Sequence, residues 1–250
     1  MLQNSRSKVL IAFTVVLLLI TSAFYTTRTQ NVDTNDAIRT VKAWKIESLK
    51  GGHWVHLIYT VTSHEKNGIV LPDGQPMPSS YINDDWYFLN EAGLVAKGVF
   101  TMKDFDGNIL QQSAYRNDIQ VNFTFDDRQE AVQPYPLNID LGFEAYLQDA
   151  ERKGMSINKF DGDLDGKPVF SYSYVENLKL PTQLSGEDVI VDSLAIKGTF
   201  DQETGNLLQI QTILNLENGS SVVYETASII GIESLPNAND EILGLLEVVK

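Results

Sequence analysis

The three histidines of the chain, His53, His56 and His64, fall within twelve residues, and imidazoles gathered this closely are common zinc ligands. In an extended strand, however, His53 and His56 stand an odd number of positions apart and project to opposite faces, so without a bulge they cannot share one ion. Asp161-Gly162-Asp163-Leu164-Asp165-Gly166 opens like a calcium-binding loop, with carboxylates at positions 1, 3 and 5 and glycine at 6. Its position 12 is Tyr172, where a bidentate glutamate is needed, and Pro168 leads into an alternating run. A hairpin turn accounts for the same residues. Asp104, Asp106 and Asn108 form a weaker set of this kind, with the glycine misplaced. Ser156-Ile157-Asn158-Lys159 has the Ser-x-x-Lys spacing of penicillin-binding enzymes, which bring serine and lysine together on one helical turn. Here it follows an expected helix stop at Gly154, and neither Ser-Asp-Asn nor Lys-Thr-Gly occurs.

The absence of cysteine removes disulfides, thiolate metal sites, a cysteine nucleophile and the lipid-modified cysteine of a lipoprotein in one step. No Gly-x-Ser-x-Gly elbow, phosphate-binding loop or dinucleotide fingerprint is present. Paired carboxylates for glycoside cleavage stay open, because 33 acidic residues place some close together in any fold. The sequence therefore points to no cofactor, no metal and no catalytic residue.

The elements that would position these residues are mostly strands. Val55, Leu57, Tyr59 and Val61 share one face of His53–Thr62, while Trp54, His56 and Ile58 share the other. Ile119, Val121, Phe123 and Phe125 alternate with polar residues, as a strand with one wet face does. Further strands are expected at Trp86–Asn90, Leu94–Met102, Ile109–Tyr115, Val169–Val175, Leu194–Phe200, Leu207–Leu216 and Val222–Ile232. Glycine-bearing turns at Asp106-Gly107-Asn108, Asp165-Gly166-Lys167 and Asn218-Gly219-Ser220 separate several of them. Three helices interrupt the pattern. One covers Thr34 to about Ile46, capped by Asp33 or Asn35. A second covers Asp140–Lys153, with Phe143, Tyr146, Leu147 and Ala150 at helical spacing and Gly154 as its left-handed stop. The third covers Asn239–Val249, with Ile242, Leu245, Leu246 and Val249 on one stripe. Val70–Ser80 is rich in proline and reads as an irregular crossing loop.

Leu94-Val95-Ala96-Lys97-Gly98-Val99-Phe100 recurs as Leu194-Ala195-Ile196-Lys197-Gly198-Thr199-Phe200. Gly107-Asn108-Ile109-Leu110-Gln111 then recurs as Gly205-Asn206-Leu207-Leu208-Gln209. The segments 94–116 and 194–216 are thus matching hairpins, arising by internal duplication or by convergence of hairpin chemistry.

Val9 to Thr27 carry no charge and are preceded by Arg6 and Lys8, which reads as a transmembrane anchor or a signal segment. On this reading residues 1–8 are cytoplasmic, 9–27 cross the membrane, and 28–250 form an extracytoplasmic β-rich domain of a single-pass membrane protein, or a secreted one if the leader is cleaved. The formal charge of −14, with no run of Lys or Arg, argues against nucleic acid.

The expected fold is mainly β (α+β): a curved antiparallel sheet or half-barrel with three helices, preceded by an N-terminal membrane helix. The order of an N-terminal helix, a long meander and the hairpin Asp165-Gly166-Lys167-Pro168-Val169 leading to Phe170, Tyr172 and Tyr174 resembles half-barrel proteins of the LolA and RseB type, which are lipoprotein carriers and sigma-factor regulators. The resemblance spans residues 34 to 235. It implies an incomplete barrel wrapping helices, with an apolar concavity that receives acyl chains or a partner's peptide. It carries over no site residue. Strands apolar on both faces suit such a cavity, and equally a sandwich covered by a helix. The leading expectation is a membrane-anchored, non-catalytic binding or sensing domain for a lipid or lipoprotein-like apolar ligand. The alternatives are an envelope protein–protein interaction module, presenting an edge or the Val70–Ser80 loop, and a carboxylate-based envelope hydrolase.

Overall fold

A computed structural model describes residues 30–48, 51–63, 78–91, 95–117, 119–124, 127–130, 143–184 and 186–249. Its strands are β1 (Gln30–Val32), β2 (Trp54–Ser63), β3 (Ser80–Leu89), β4 (Val95–Lys103), β5 (Ile109–Arg116), β6 (Ile119–Asn122), β7 (Asp127–Glu130), β8 (Ile157–Leu164), β9 (Lys167–Leu184), β10 (Glu187–Asp201), β11 (Leu207–Leu216) and β12 (Ser221–Leu235). The helices are α1 (Thr34–Ser48), α2 (Glu144–Arg152) and α3 (Asp240–Glu247). All twelve strands lie in one antiparallel sheet of order β1-β8-β9-β10-β11-β12-β2-β3-β4-β5-β6-β7. Two meanders, β2 to β7 and β8 to β12, are joined where β12 pairs with β2.

Local chemistry sets the turns. Asp165 and Gly166 both have positive φ (53° and 80°), the pairing that a two-residue turn between right-twisted strands demands. Asp163 Oδ1 accepts the Gly166 amide at 2.7 Å and locks that turn. The calcium-like sequence is therefore a β8–β9 hairpin. Asp104 likewise accepts both the backbone and side-chain nitrogens of Asn108, at 2.8 and 2.7 Å, closing the β4–β5 hairpin. Asp201 Oδ1 closes the β10–β11 hairpin through the amides of Glu203 and Thr204. The repeated sequence thus folds twice into the same motif, an acidic residue organising a short turn between paired strands.

The helix ends follow the same logic. Asp33 Oδ1 takes the amide of Asn35 at 2.8 Å, making Asp33 the cap of α1. At the end of α2 the Met155 amide donates to Ala150 O and the Gly154 amide to Glu151 O, with Gly154 at φ +66°. This double bond pattern is a left-handed stop that satisfies the last carbonyls. Asn239 Oδ1 accepts the Ile242 amide at 2.9 Å and caps α3.

The helices divide between the two faces of the sheet. On one, Ala37 and Val41 of α1, Leu147 and Ala150 of α2 and its N-cap residue Phe143 bury against Phe170, Tyr172 and Tyr174 of β9, Ile196 and Phe200 of β10 and Leu207 of β11. Ile229 and Ile232 link this core to Val55, Leu57, Tyr87 and Leu89 on the same face. On the other face α3 lays Ile242 and Leu246 over Trp54, Trp86, Val99 and Ala114. Pairing puts Ser171, Thr199 and Gln209, and then Ser173, Lys197 and Gln211, on that second face of the β9–β11 half, so these two rows are polar, while the next row is Val175, Ala195 and Ile213. Apolar strands on both faces are thus helix-covered on α3's side only in the β2–β5 half.

The matched hairpins differ in what covers them. A Cβ on Gly198 would lie 2.6 Å from Phe143 Cδ2, so the bare glycine lets the α2 aromatic sit directly on the sheet. At Gly98 the nearest ring is that of Phe100, in the same hairpin, at 3.3 Å from such a Cβ. Phe200 is buried beneath the helices, whereas its counterpart Phe100 is half-buried and lines a cleft.

Several expectations need correction. The fold expected from the sequence included an N-terminal membrane helix, but among the described residues no helix is long and apolar enough to cross a membrane. Val9–Thr27, on which that expectation rested, lie outside the described residues. The single-pass topology, the membrane as partner and the extracytoplasmic placement depended on that helix and are set aside with it. Strands β1, β7 and β8 were not expected; β1 and β7 span only three and four residues, too short for alternation to register. Strand β9 runs past Val175 to Leu184 through Pro181, and β3 begins six residues before Trp86. The α2 expectation began at Asp140, outside the described residues, and the observed helix begins at Glu144.

Candidate functional site

Two features of the described residues can bind something. The first is a cleft on the α1/α2 face, where β2, β3, β4 and β5 bring Tyr59, Asp85, Tyr87, Phe100 and Met102 around a volume of about 310 Å³. Asn83, Gln111 and Ser113 add polar lining. Tyr87 and Phe100 meet edge to face, with centroids 5.3 Å apart. Asp85 is buried, and its neighbours on the sheet explain its hydrogen bonds. Tyr87, two residues on and therefore on the same face, donates its hydroxyl to Asp85 Oδ2 at 2.9 Å. The Thr101 amide on β4 donates to Oδ1 at 3.3 Å, and Tyr59 on β2 adds a third hydrogen bond.

Burial dominates the electrostatics of this carboxyl. It is pushed up to about 7, first by desolvation and further by Asp84, against the hydrogen bonds of Tyr87, Thr101 and Tyr59. The same burial, with the neighbouring Asp85 charge, pushes the Tyr59 and Tyr87 hydroxyls well above the ordinary tyrosine value, so both remain donors. A carboxylate has about four acceptor positions and three are taken, leaving one for a ligand.

Asp84 projects to the other face and lives in a different environment. Its Oδ1 lies 2.8 Å from His56 Nε2 and its Oδ2 2.7 Å from Lys103 Nζ. Although burial opposes it, these two hydrogen bonds hold the Asp84 carboxyl below its ordinary range. His56 stacks on Trp86 at 4.1 Å, close to parallel. Two adjacent acids are thus separated by the sheet itself, with opposite shifts. In this cleft no pair of cooperating acids for glycoside cleavage is assembled, since Asp85 is the one carboxyl in its lining.

The two described histidines, His53 and His56, do not converge. His53 precedes β2 with Nδ1 3.3 Å from Gly51 O, His56 pairs with Asp84, and His64 lies outside the described residues. Among the described residues no three His, Cys, Asp or Glu side chains come together to hold a metal. Ser156 and Lys159 sit at and within the start of β8, not on a helical turn. Asp85 was missed because β3 was expected to start at Trp86, which left Asp84 and Asp85 without an assigned element. An available signal was the alternation Tyr81, Asn83, Asp85, Tyr87, which places an acid between two tyrosines on one face of an extended strand.

The second feature is the edge of β9. Strand β8 pairs with β9 only from Lys167 to Ser173, so among the described residues Tyr174–Leu184 has a strand neighbour on its β10 side alone. Val175, Leu178 and Leu180 on this edge are 45, 41 and 56% exposed, and Ile190 opposite Pro181 is 42% exposed. Such apolar side chains, beside backbone that has no second strand neighbour among the described residues, form an unusual surface. The edge is also guarded. Pro181 offers no amide, Lys179 has φ 53° in a bulge opposite Asp192, and Glu176 is held by Lys153 at 2.9 Å.

No family model matches this chain. A comparison with curated proteins likewise yields no match. The geometry alone therefore bears on function. The reading as a membrane-held carrier of a lipid or lipoprotein-like ligand is corrected on two grounds. No membrane-crossing helix exists among the described residues, and the cleft is floored by an ionisable carboxyl and rimmed by Asn83 and Gln111, to which a hydrocarbon offers nothing. The Val70–Ser80 loop, offered as an interaction surface, lies outside the described residues except for its last three.

Proposed function

We propose that this chain is a non-catalytic protein-interaction module that takes an extended segment of a partner protein along the open edge of β9. The observation that carries this reading is the absence, among the described residues, of a strand neighbour along Tyr174–Leu184, where Val175, Leu178 and Leu180 stand exposed. An added strand would complete the backbone hydrogen bonds of that edge, and pockets between alternate side chains would give selectivity. Pro181 and the Lys179 bulge interrupt the edge, which limits indiscriminate strand pairing and restricts a partner to a short segment. The sequence resemblance to LolA- and RseB-type proteins, a type that includes receptors for a partner's peptide, agrees with it.

The test is a selection from a random linear peptide library on the folded chain, followed by amide hydrogen exchange with the recovered peptide. Extended apolar peptides should protect amides within Tyr174–Leu184. Val175→Asp and Leu180→Asp, both at exposed positions, should weaken binding at least tenfold without loss of folding. Protection elsewhere, or undiminished binding by both variants, would refute the proposal.

A further inference from the structure

The cleft on the α1/α2 face has a chemistry that the β9 edge does not use. Its walls are aromatic, Tyr59, Tyr87 and Phe100, and its floor is one carboxyl with three donors for about four acceptor positions. No lysine, arginine or histidine lines it. A volume of about 310 Å³ is at the lower end of small-ligand pockets, the scale of one charged head and a short alkyl stem. An anion would meet the Asp85 charge within a chain of net charge −14. A hard metal ion would find a single carboxylate. A compact organic cation finds both a counter-charge and π faces, each of which attracts it.

We propose that this cleft binds one organic cation, a guanidinium or alkylammonium group, which donates to the free acceptor position of Asp85 and packs against Tyr59, Tyr87 and Phe100. The group arrives either as an arginine or lysine side chain of a protein or as a free small amine. The site is independent of the β9 edge, being built from β2 to β5 on a different part of the sheet.

Binding is linked to the protonation of Asp85, because the cation requires the carboxylate. The groups that act on this carboxyl are the Tyr87 and Tyr59 hydroxyls, the Thr101 amide and Asp84 across the sheet. Tyr81 and Glu225 act on it indirectly, through Tyr59. None of these is a cation that would substitute for the ligand. With the Asp85 proton leaving near pH 7, affinity rises about tenfold per pH unit below that point and levels above it, about 30-fold in all between about pH 5.5 and about pH 8.

The experiment titrates the full chain with methylguanidinium and n-butylammonium chloride at both pH values, using methylurea as the neutral analogue. Isothermal titration calorimetry reads binding. The carbon resonance of the Asp85 carboxyl reads its titration in the native protein, so the test survives even if a variant fails to fold. The expected result is binding about 30-fold tighter at the higher pH, a downward shift of the Asp85 midpoint on adding cation, and at least tenfold weaker binding in Asp85→Asn. Blocked Gly-Arg-Gly binding as well as methylguanidinium assigns the source to a protein side chain, and its exclusion assigns it to a free amine. No binding at millimolar cation, equal binding of methylurea, or unchanged binding in Asp85→Asn overturns the proposal. Val175→Asp and Leu180→Asp leave cation binding intact, so failure at the edge and failure at the cleft are told apart.

Discussion

Replacing Asp85 by asparagine removes the only charge lining the cleft while keeping the shape of the side chain. In the folded protein this carboxyl is displaced from 3.8 to about 7, chiefly because burial disfavours its charged form. Across that window the folded chain holds a proton that the unfolded chain has released, so stability falls as pH rises through it and is constant above it. At about 1.4 kcal/mol for each unit, the loss between about pH 5 and about pH 8 is about 3 kcal/mol. Asp84, Asp104, Asp149 and Asp201 are shifted the other way, so their contributions are complete above the ordinary carboxylate value and are lost only as pH falls below it. The two effects therefore occupy separate ranges. Asp85→Asn lacks the upper slope, and asparagine still offers an oxygen to the tyrosine hydroxyls. Urea unfolding followed by tryptophan fluorescence at the two pH values should show the variant gaining about 3 kcal/mol on the parent protein as pH rises. A difference between the two proteins that does not change with pH would refute the reasoning, because Asp85 would then keep one protonation state throughout.

Two further perturbations probe the frame that holds the site. Gly198→Ala drives a methyl into the Phe143 ring, at 2.6 Å from Cδ2, and should cost about 1–3 kcal/mol in urea unfolding. Asn239→Ala deletes the acceptor for the Ile242 amide and should cost about 1 kcal/mol. That loss should be visible as faster amide exchange in α3 and altered fluorescence of Trp54 and Trp86, on which the helix lies.

How much of this was legible beforehand depends on the distance over which each feature is decided. The Asp165-Gly166 and Asp106-Gly107-Asn108 turns and the Gly154 stop are settled within five or six residues, and the sequence reads them as turns and a stop, whereas the closing bonds of Asp104 and Asp201 come from the structure. The buried stripe of α2 was legible for the same reason, although Tyr146 proved exposed where Phe143, Leu147 and Ala150 did not. Strand extents were harder. Glu176–Leu184 lacks strict alternation and contains Pro181, and it is a strand because β10 pairs along it, with no strand among the described residues on its other side to require the missing Pro181 donor.

Local backbone preference and side-chain periodicity were enough for the chain alone to determine its hairpins, its helix caps and the impossibility of thiol chemistry. The sequence order of Asp84 and Asp85 said nothing of their separation by a sheet, one beside His56 and Lys103, the other beneath tyrosines from β2 and β3. Only the tertiary structure decided that, because the free energy of a carboxyl depends on how much water its neighbours exclude. Those neighbours come from strands that pairing, not chain proximity, brings together.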